Sequence, residues 1–168
     1  MPKIIENLKV RLMEEAGKQI EQNGYSAMTM RSVAKGCGIG VGTVYNYFPC
    51  KEELVAGYLL DDWNNSLSEF DAISAASKSP RQLIVCIHQH LTDFSRRHMT
   101  IFQDEAAAAS FSGSFTRYHV LLRSQLAQPL RKFCQHNFAA EFVAEALLCW
   151  TIAKQDFEDI YGMLEKLF

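Results

Sequence analysis

The sequence predicts an all-α protein of about nine helices, with a helix-turn-helix near the N-terminus and a larger helical body behind it. Three observations carry that prediction. Apolar residues recur every three or four positions through nearly all of the 168 residues, and no run alternates as a half-buried strand would. Turn formers stand at the ends of these stripes: Asn23-Gly24, Gly38, Pro49, the small polar stretch Ser74–Pro80, and Ser112-Gly113-Ser114. Between Thr29 and Phe48, two short apolar patterns are joined by a glycine, which is the spacing of two helices meeting at a tight angle.

Each element follows from its own residues. Ile5, Leu8, Leu12, Ala16 and Ile20 form one stripe and predict a long first helix ending at Asn23-Gly24, with Glu14 and Lys18 paired at i, i+4. Thr29 is a suitable N-cap for a second helix, because its hydroxyl can accept from a free amide of the first turn. Val33, Ala34 and Cys37 give that helix one apolar side, and Ala34 is small enough for a close crossing. Gly38 can adopt the left-handed backbone that ends a helix, and Ile39 fills the angle beyond it. On the third helix, Val44, Tyr47 and Phe48 are spaced to face this small core. Val41, Gly42, Thr43, Tyr45 and Asn46 fall on the other side, where short and hydrogen-bonding groups can meet phosphates and base edges. Pro49 permits a fourth helix from about Lys51, through Leu54, Tyr58, Asp61 and Asn65, to near Phe70.

The body begins after the break at Ser74–Pro80. Pro80 opens a helix with Leu83, Ile84, Ile87, Leu91 and Phe94 inward and Arg96, Arg97 and His98 at its C-terminal end. An alanine-rich segment, Ile101 to Ser110, comes next. A long pattern from about Phe115 to His136 is interrupted by Pro129, and two final helices are expected over Ala139–Ala153 and Asp156–Leu167.

Gly36, Gly38, Gly40 and Gly42 alternate, which raises the possibility of a phosphate-cradling loop. The spacing excludes it. G-x-G-x-x-G needs a glycine where Val41, Thr43 or Tyr45 stands, no Gly-Lys-Ser/Thr ending follows, and no strand precedes the segment.

Residues 5–54 resemble the DNA-binding domain of the TetR family of bacterial transcriptional regulators. The matching residues are Thr29-Met30-Arg31-x-Val33-Ala34, the turn Gly38-Ile39-Gly40, and Gly42-Thr43-Val44-Tyr45-x-Tyr47-Phe48-x-x-Lys51-Glu52-x-Leu54. The resemblance covers under a third of the chain and implies a head at 1–54 and a ligand-binding and dimerisation body at 55–168. It implies DNA contacts from Thr29, Arg31, Thr43, Tyr45, Asn46 and Lys51, with Tyr47 placed either against DNA or in the core. Arg31 suits a bidentate bond to guanine or a phosphate clamp, and Asn46 suits adenine. It also implies an effector pocket in the body, for which Trp63, Phe94, Phe102, Phe111, Phe115 and Tyr118 are the aromatic candidates; ordinary core packing is the competing reading of each. The last two helices would pair with those of a second subunit through Phe142, Ala146, Trp150, Ile160 and Leu164, with intrachain core as the alternative.

Composition bounds the function classes. A hydrophobic content of 48% suits a folded core, and no apolar run approaches the roughly 18 residues that span a bilayer. The N-terminal residues lack a signal-peptide pattern, so a cytoplasmic location is expected. Five widely spaced cysteines read as reduced thiols. The net charge of −2 divides into +1 over residues 1–54 and −3 over the rest, so attraction to phosphate depends on local placement of Lys3, Lys9, Arg31, Lys35 and Lys51. No catalytic residue, metal or cofactor is assigned: G-x-S-x-G and H-E-x-x-H are absent. Cys86 and His90 share an i, i+4 face, but two ligands without a third do not make a metal site. Cys50, beside Lys51, is the best placed thiol for redox sensing.

The expected function is therefore a homodimeric, effector-responsive regulator that represses by binding a palindromic operator in double-stranded DNA. The alternatives are an activator or chromosome-associated protein with the same head, or a ligand-binding module without DNA binding. The effector is an unidentified small molecule, and no membrane partner is expected.

Overall fold

The computed structural model describes residues 7–110 and 112–168, without the side chains of residues 108 and 112–117. Lys3, Ile5, Phe111 and the side chain of Phe115 lie outside the described residues. Those residues form ten α-helices and no strand: α1 (Leu8–Asn23), α2 (Met30–Gly36), α3 (Val41–Tyr45), α4 (Lys51–Ala76), α5 (Pro80–Arg97), α6 (Met99–Phe102), α7 (Glu105–Ser110), α8 (Ser112–Leu130), α9 (Asn137–Ile152) and α10 (Phe157–Leu164). A short 3-10 turn, Glu165–Leu167, follows α10.

The count exceeds nine because the alanine-rich segment divides. Asp104 ends the turn after α6, and its Oδ1 then accepts from the Ala107 amide at 3.0 Å, capping α7. Pro129 has a different effect from the kink expected of a helix interior. It is the penultimate residue of α8, which stops at Leu130, and the chain turns over residues 131–134 before α9.

The chain divides into two compact units: Met1–Asp62 with His98–Thr116, and Trp63–Arg97 with Arg117–Phe168. Helix α4 contributes residues 51–62 to the first and 63–76 to the second. The first unit closes around the stripe read from the sequence, with Leu12, Ala16, Ile20, Val33, Val44, Phe48 and Leu54 buried. Ile101 and Ala107, from α6 and α7, are buried in the same unit. His98 is buried there too, and its Nε2 lies 2.8 Å from Asp62 Oδ2 with the Tyr58 ring edge-on beside it.

The second unit is built mainly where α5 packs on α9, with α10 against both. Leu83, Ile84, Ile87 and Leu91 of α5 meet a core that includes Val143, Ala144 and Leu147 of α9. Burying each such side chain contributes roughly 1.5–3 kcal/mol relative to leaving it in water. Lys132 closes the C-terminal end of α4 by donating to the carbonyls of Ser74 and Ser77 at 2.8 and 3.0 Å.

Candidate nucleic-acid interface

The helix-turn-helix is positioned from its N-terminal cap. Thr29 Oγ1 accepts from the Ser32 amide at 3.0 Å, and the Thr29 amide donates to Ser32 Oγ at 3.0 Å, a reciprocal capping box that fixes the start of α2. Ser32 Oγ also approaches Gln19 Oε1 of α1 at 2.6 Å, anchoring α2 to the first helix. The cap function of Thr29 was legible in the sequence; that of Ser32 was not singled out, although Ser three residues after Thr is the short form of the same signature. At the far end of α2, Gly38 adopts φ 69°, and the Ile39 amide donates back to the Ala34 carbonyl at 3.0 Å. The left-handed residue and the backward bond turn the chain into α3.

Helix α3 then presents its sequence in two directions. Val44 and the following Phe48 are buried, while Tyr45 and Asn46 are exposed and Thr43 is half-buried. Tyr47 is 45% exposed and so lies with the outward group, away from the core that its spacing from Val44 suggested. The reason is that α3 ends at Tyr45. Asn46 and Tyr47 occupy a turn, and a helical period carried through to Phe48 overstates how far Tyr47 rotates inward. Arg31 and Lys35 are exposed on α2, and Lys9 is exposed on α1.

Lys51 is placed differently from these cations. Its ammonium donates to the carbonyl oxygen of Tyr25 at 2.5 Å and sits over the Tyr25 ring, 3.9 Å from the centroid. Burial pushes its pKa down, opposed by the nearby charges of Glu52 and Asp104. Lys51 therefore ties the start of α4 to the loop after α1, and Tyr25 is a member of this region that the sequence reading missed. Cys50 fits poorly as a redox sensor, because burial pushes its thiol up.

In the second unit, Trp63 and Phe94 come together with ring centroids 5.2 Å apart, both buried, and Trp63 Nε1 donates to Gln125 Oε1 at 2.8 Å. Phe102 belongs to the first unit and Tyr118 to the second, both half-buried. A cleft of about 360 Å³ opens between α4 and α5, lined by Ser66, Phe70, Ile73, Cys86, His90 and Arg97 among others. A second cleft, of about 460 Å³, runs along α9 and α10 and contains Phe142, Ala146, Trp150, Ile160 and Leu164 together. Ile160 and Leu164 form its buried floor, while Trp150 is 52% exposed. Met163, 75% exposed, also borders it, and Phe138 of α9 is 80% exposed; neither was singled out from the sequence. Neither cleft takes a lining residue from Trp63, Phe94, Phe102 or Tyr118.

A cap-fixed short helix, a left-handed glycine turn and a second short helix with an outward polar face define the class: a helix-turn-helix head on a helical body. The sequence model of bacterial regulatory proteins of the tetR family matches residues 12–58, the segment that builds this head. Over this segment the chain matches the N-terminal domain of the TetR family. It is 31% identical over 62 residues to the HTH-type transcriptional regulator UidR of Escherichia coli K12, covering 37% of this chain and 32% of that protein. It is 28% identical over 111 residues to the HTH-type transcriptional repressor KstR2 of Rhodococcus jostii, covering 64% of this chain and 54% of that one. The matched stretch thus spans about a third to a half of these relatives' length. The structure of RolR in complex with resorcinol shares the fold at a TM-score of 0.66 and 21% identity, covering 96% of this chain and 88% of RolR.

Proposed function

We propose that the protein is a homodimeric transcriptional repressor that binds a palindromic operator and is released by a small-molecule effector. The observation that carries the reading is the outward group on and around α3: Thr43, Tyr45, Asn46 and Tyr47 project from a segment whose inward residues, Val44 and Phe48, are locked in the core. With Thr29 and Arg31 at the start of α2, these side chains meet the backbone and base edges of one major groove. Thr43, Tyr45 and Tyr47 contact phosphate, and Arg31 and Asn46 are the residues equipped to read guanine and adenine. Lys51 supports this surface by holding the start of α4, and its charge adds to the local field.

One such helix covers too few base pairs for genomic specificity, so two heads must act together about one DNA turn apart. The apolar cleft on α9 and α10 supports that pairing, since Phe142, Trp150 and Met163 leave an apolar surface of the kind a second copy covers. The effector belongs in the second unit, near Trp63 and Phe94, beside the opening at Phe70 and His90. A protein of this fold that holds resorcinol supports an effector reading. Helix α4 runs through both units and is the element by which occupancy would reset the head. The effector must favour the non-binding arrangement by its differential affinity for the two states.

Selection of genomic fragments on the purified protein at two salt concentrations tests the reading. One enriched inverted repeat, with retention falling steeply as salt rises, is the expected result. Recovery without sequence enrichment would oppose it.

A further inference from the structure

Where α8 meets α9, three side chains of metal-ligating chemistry converge. His119 projects from α8, and Glu145 and Cys149 stand one turn apart on α9. His119 Nε2 lies 2.8 Å from Glu145 Oε1 and 2.9 Å from Oε2, while Cys149 Sγ lies 3.4 Å from the same Oε1. One ligand atom from each residue falls within 4.8 Å of the other two. A structural ion pair between the helices would need only the imidazole and the carboxylate, and Arg123 already supplies the carboxylate with a cation, its Nη1 3.5 Å from Oε2. The thiol adds a third donor of a softer kind at the same point, on an exposed flank that an ion can reach.

We propose that His119, Glu145 and Cys149 form a zinc(II) site that ties α8 to α9, with solvent as the fourth ligand. Imidazole nitrogen, carboxylate oxygen and thiolate sulfur are zinc's usual donors, and three protein ligands with an open position is a recurrent coordination set. Zinc bonds of about 2.0–2.3 Å place neighbouring donors about 3.3–3.8 Å apart, so the His119–Glu145 pair need only open by less than about 1 Å to admit the ion. Binding forms one bond to each donor, with His119 neutral, and releases the Cys149 thiol proton to solvent. The carboxylate and thiolate together balance the +2 charge. Arg123 keeps a partner when the ion takes Glu145, because its Nε also lies 3.6 Å from Glu141 Oε2. The site goes beyond the regulator reading and does not depend on it. It has one consequence for that reading: Glu145 and Cys149 occupy the stripe of α9 next to Phe142, Ala146 and Trp150, so an ion here would fix the face proposed to pair with a second copy.

The test is zinc titration of the full chain, stripped with chelator, against a chromophoric competitor, repeated with cobalt(II) as a spectroscopic probe. The expected result is one ion per chain. Cys149→Ser, His119→Ala and Glu145→Gln should each weaken binding at least tenfold. Cys149→Ser should also abolish the cobalt–thiolate charge-transfer band, while Cys86→Ser leaves both readouts unchanged. Cys149 is exposed, so its variant should keep the wild-type circular dichroism and melting curve. Failure of the wild-type chain to compete for zinc would overturn the proposal. So would wild-type zinc affinity in a folded Cys149→Ser protein.

Discussion

Thr29 has one hydroxyl and two duties. Its oxygen accepts the Ser32 amide and so caps α2, which leaves its own O–H free to donate toward a phosphate. Replacing it separates the two roles. Thr29→Ala should lower stability by about 1 kcal/mol through loss of the cap and should also weaken operator binding. Thr29→Ser should restore both, as read by chemical denaturation and by DNA affinity. Arg31 and Tyr45 carry no such structural duty: both are exposed, and neither anchors the core. Arg31→Ala with Tyr45→Phe should therefore reduce operator affinity at least tenfold while the unfolding free energy stays within about 0.5 kcal/mol of wild type. An equal loss in stability would mean that these residues hold the head together. At this scale the sequence was informative wherever a residue acts through its own backbone neighbourhood, as Thr29 and Gly38 do. It was silent where the partner is distant. Nothing local announces that Lys51 lies over Tyr25, 26 positions earlier, or that His119 meets Glu145.

At the scale of elements, the helices were legible from their stripes, and their ends were set by chemistry of shorter range. The ladder of Leu83, Ile84, Ile87 and Leu91 predicted the buried face of α5, because a 3.6-residue period maps directly onto one side of a helix. The alanine run gave no such guidance. Alanine favours helix without marking a face, so the division at Asp104 depends on a single side-chain cap. Gly38 is the joint between α2 and α3, and its cost can be isolated. At φ 69° a β-carbon would meet nothing within 4 Å, so the penalty of Gly38→Ala is one of backbone conformation alone, about 1 kcal/mol. Gly38→Asn should lose less, because asparagine tolerates the left-handed region better. Thermal unfolding of the three proteins checks the order. A greater loss for asparagine than for alanine would show that the space around residue 38 decides.

For the molecule as a whole, the head was readable and the body much less so. Residues 29–54 combine spacing, turn and polar face in one short stretch, whereas an effector site is assembled from side chains far apart in sequence. Trp63 and Phe94 show the difficulty. They do meet, but a buried ring looks the same in a sequence whether it fills a core or lines a cavity. The proposed pairing of subunits is open to a direct check. Phe142→Glu with Trp150→Glu should convert a dimer to a monomer by analytical ultracentrifugation, with helix content retained, since both side chains already stand half in solvent. Unchanged mass would place the subunit contact elsewhere. The central claim is that two such heads read one palindrome through α3. The most direct measurement is the affinity of the wild-type chain for a selected full palindrome and for its isolated half-site, across a salt series. The account predicts a much tighter complex with the full site, two chains per DNA, and a steep loss of affinity with salt that the Arg31→Ala, Tyr45→Phe protein shares from a weaker starting point. Equal affinity for full and half sites, with the double variant binding as well as wild type, would contradict it.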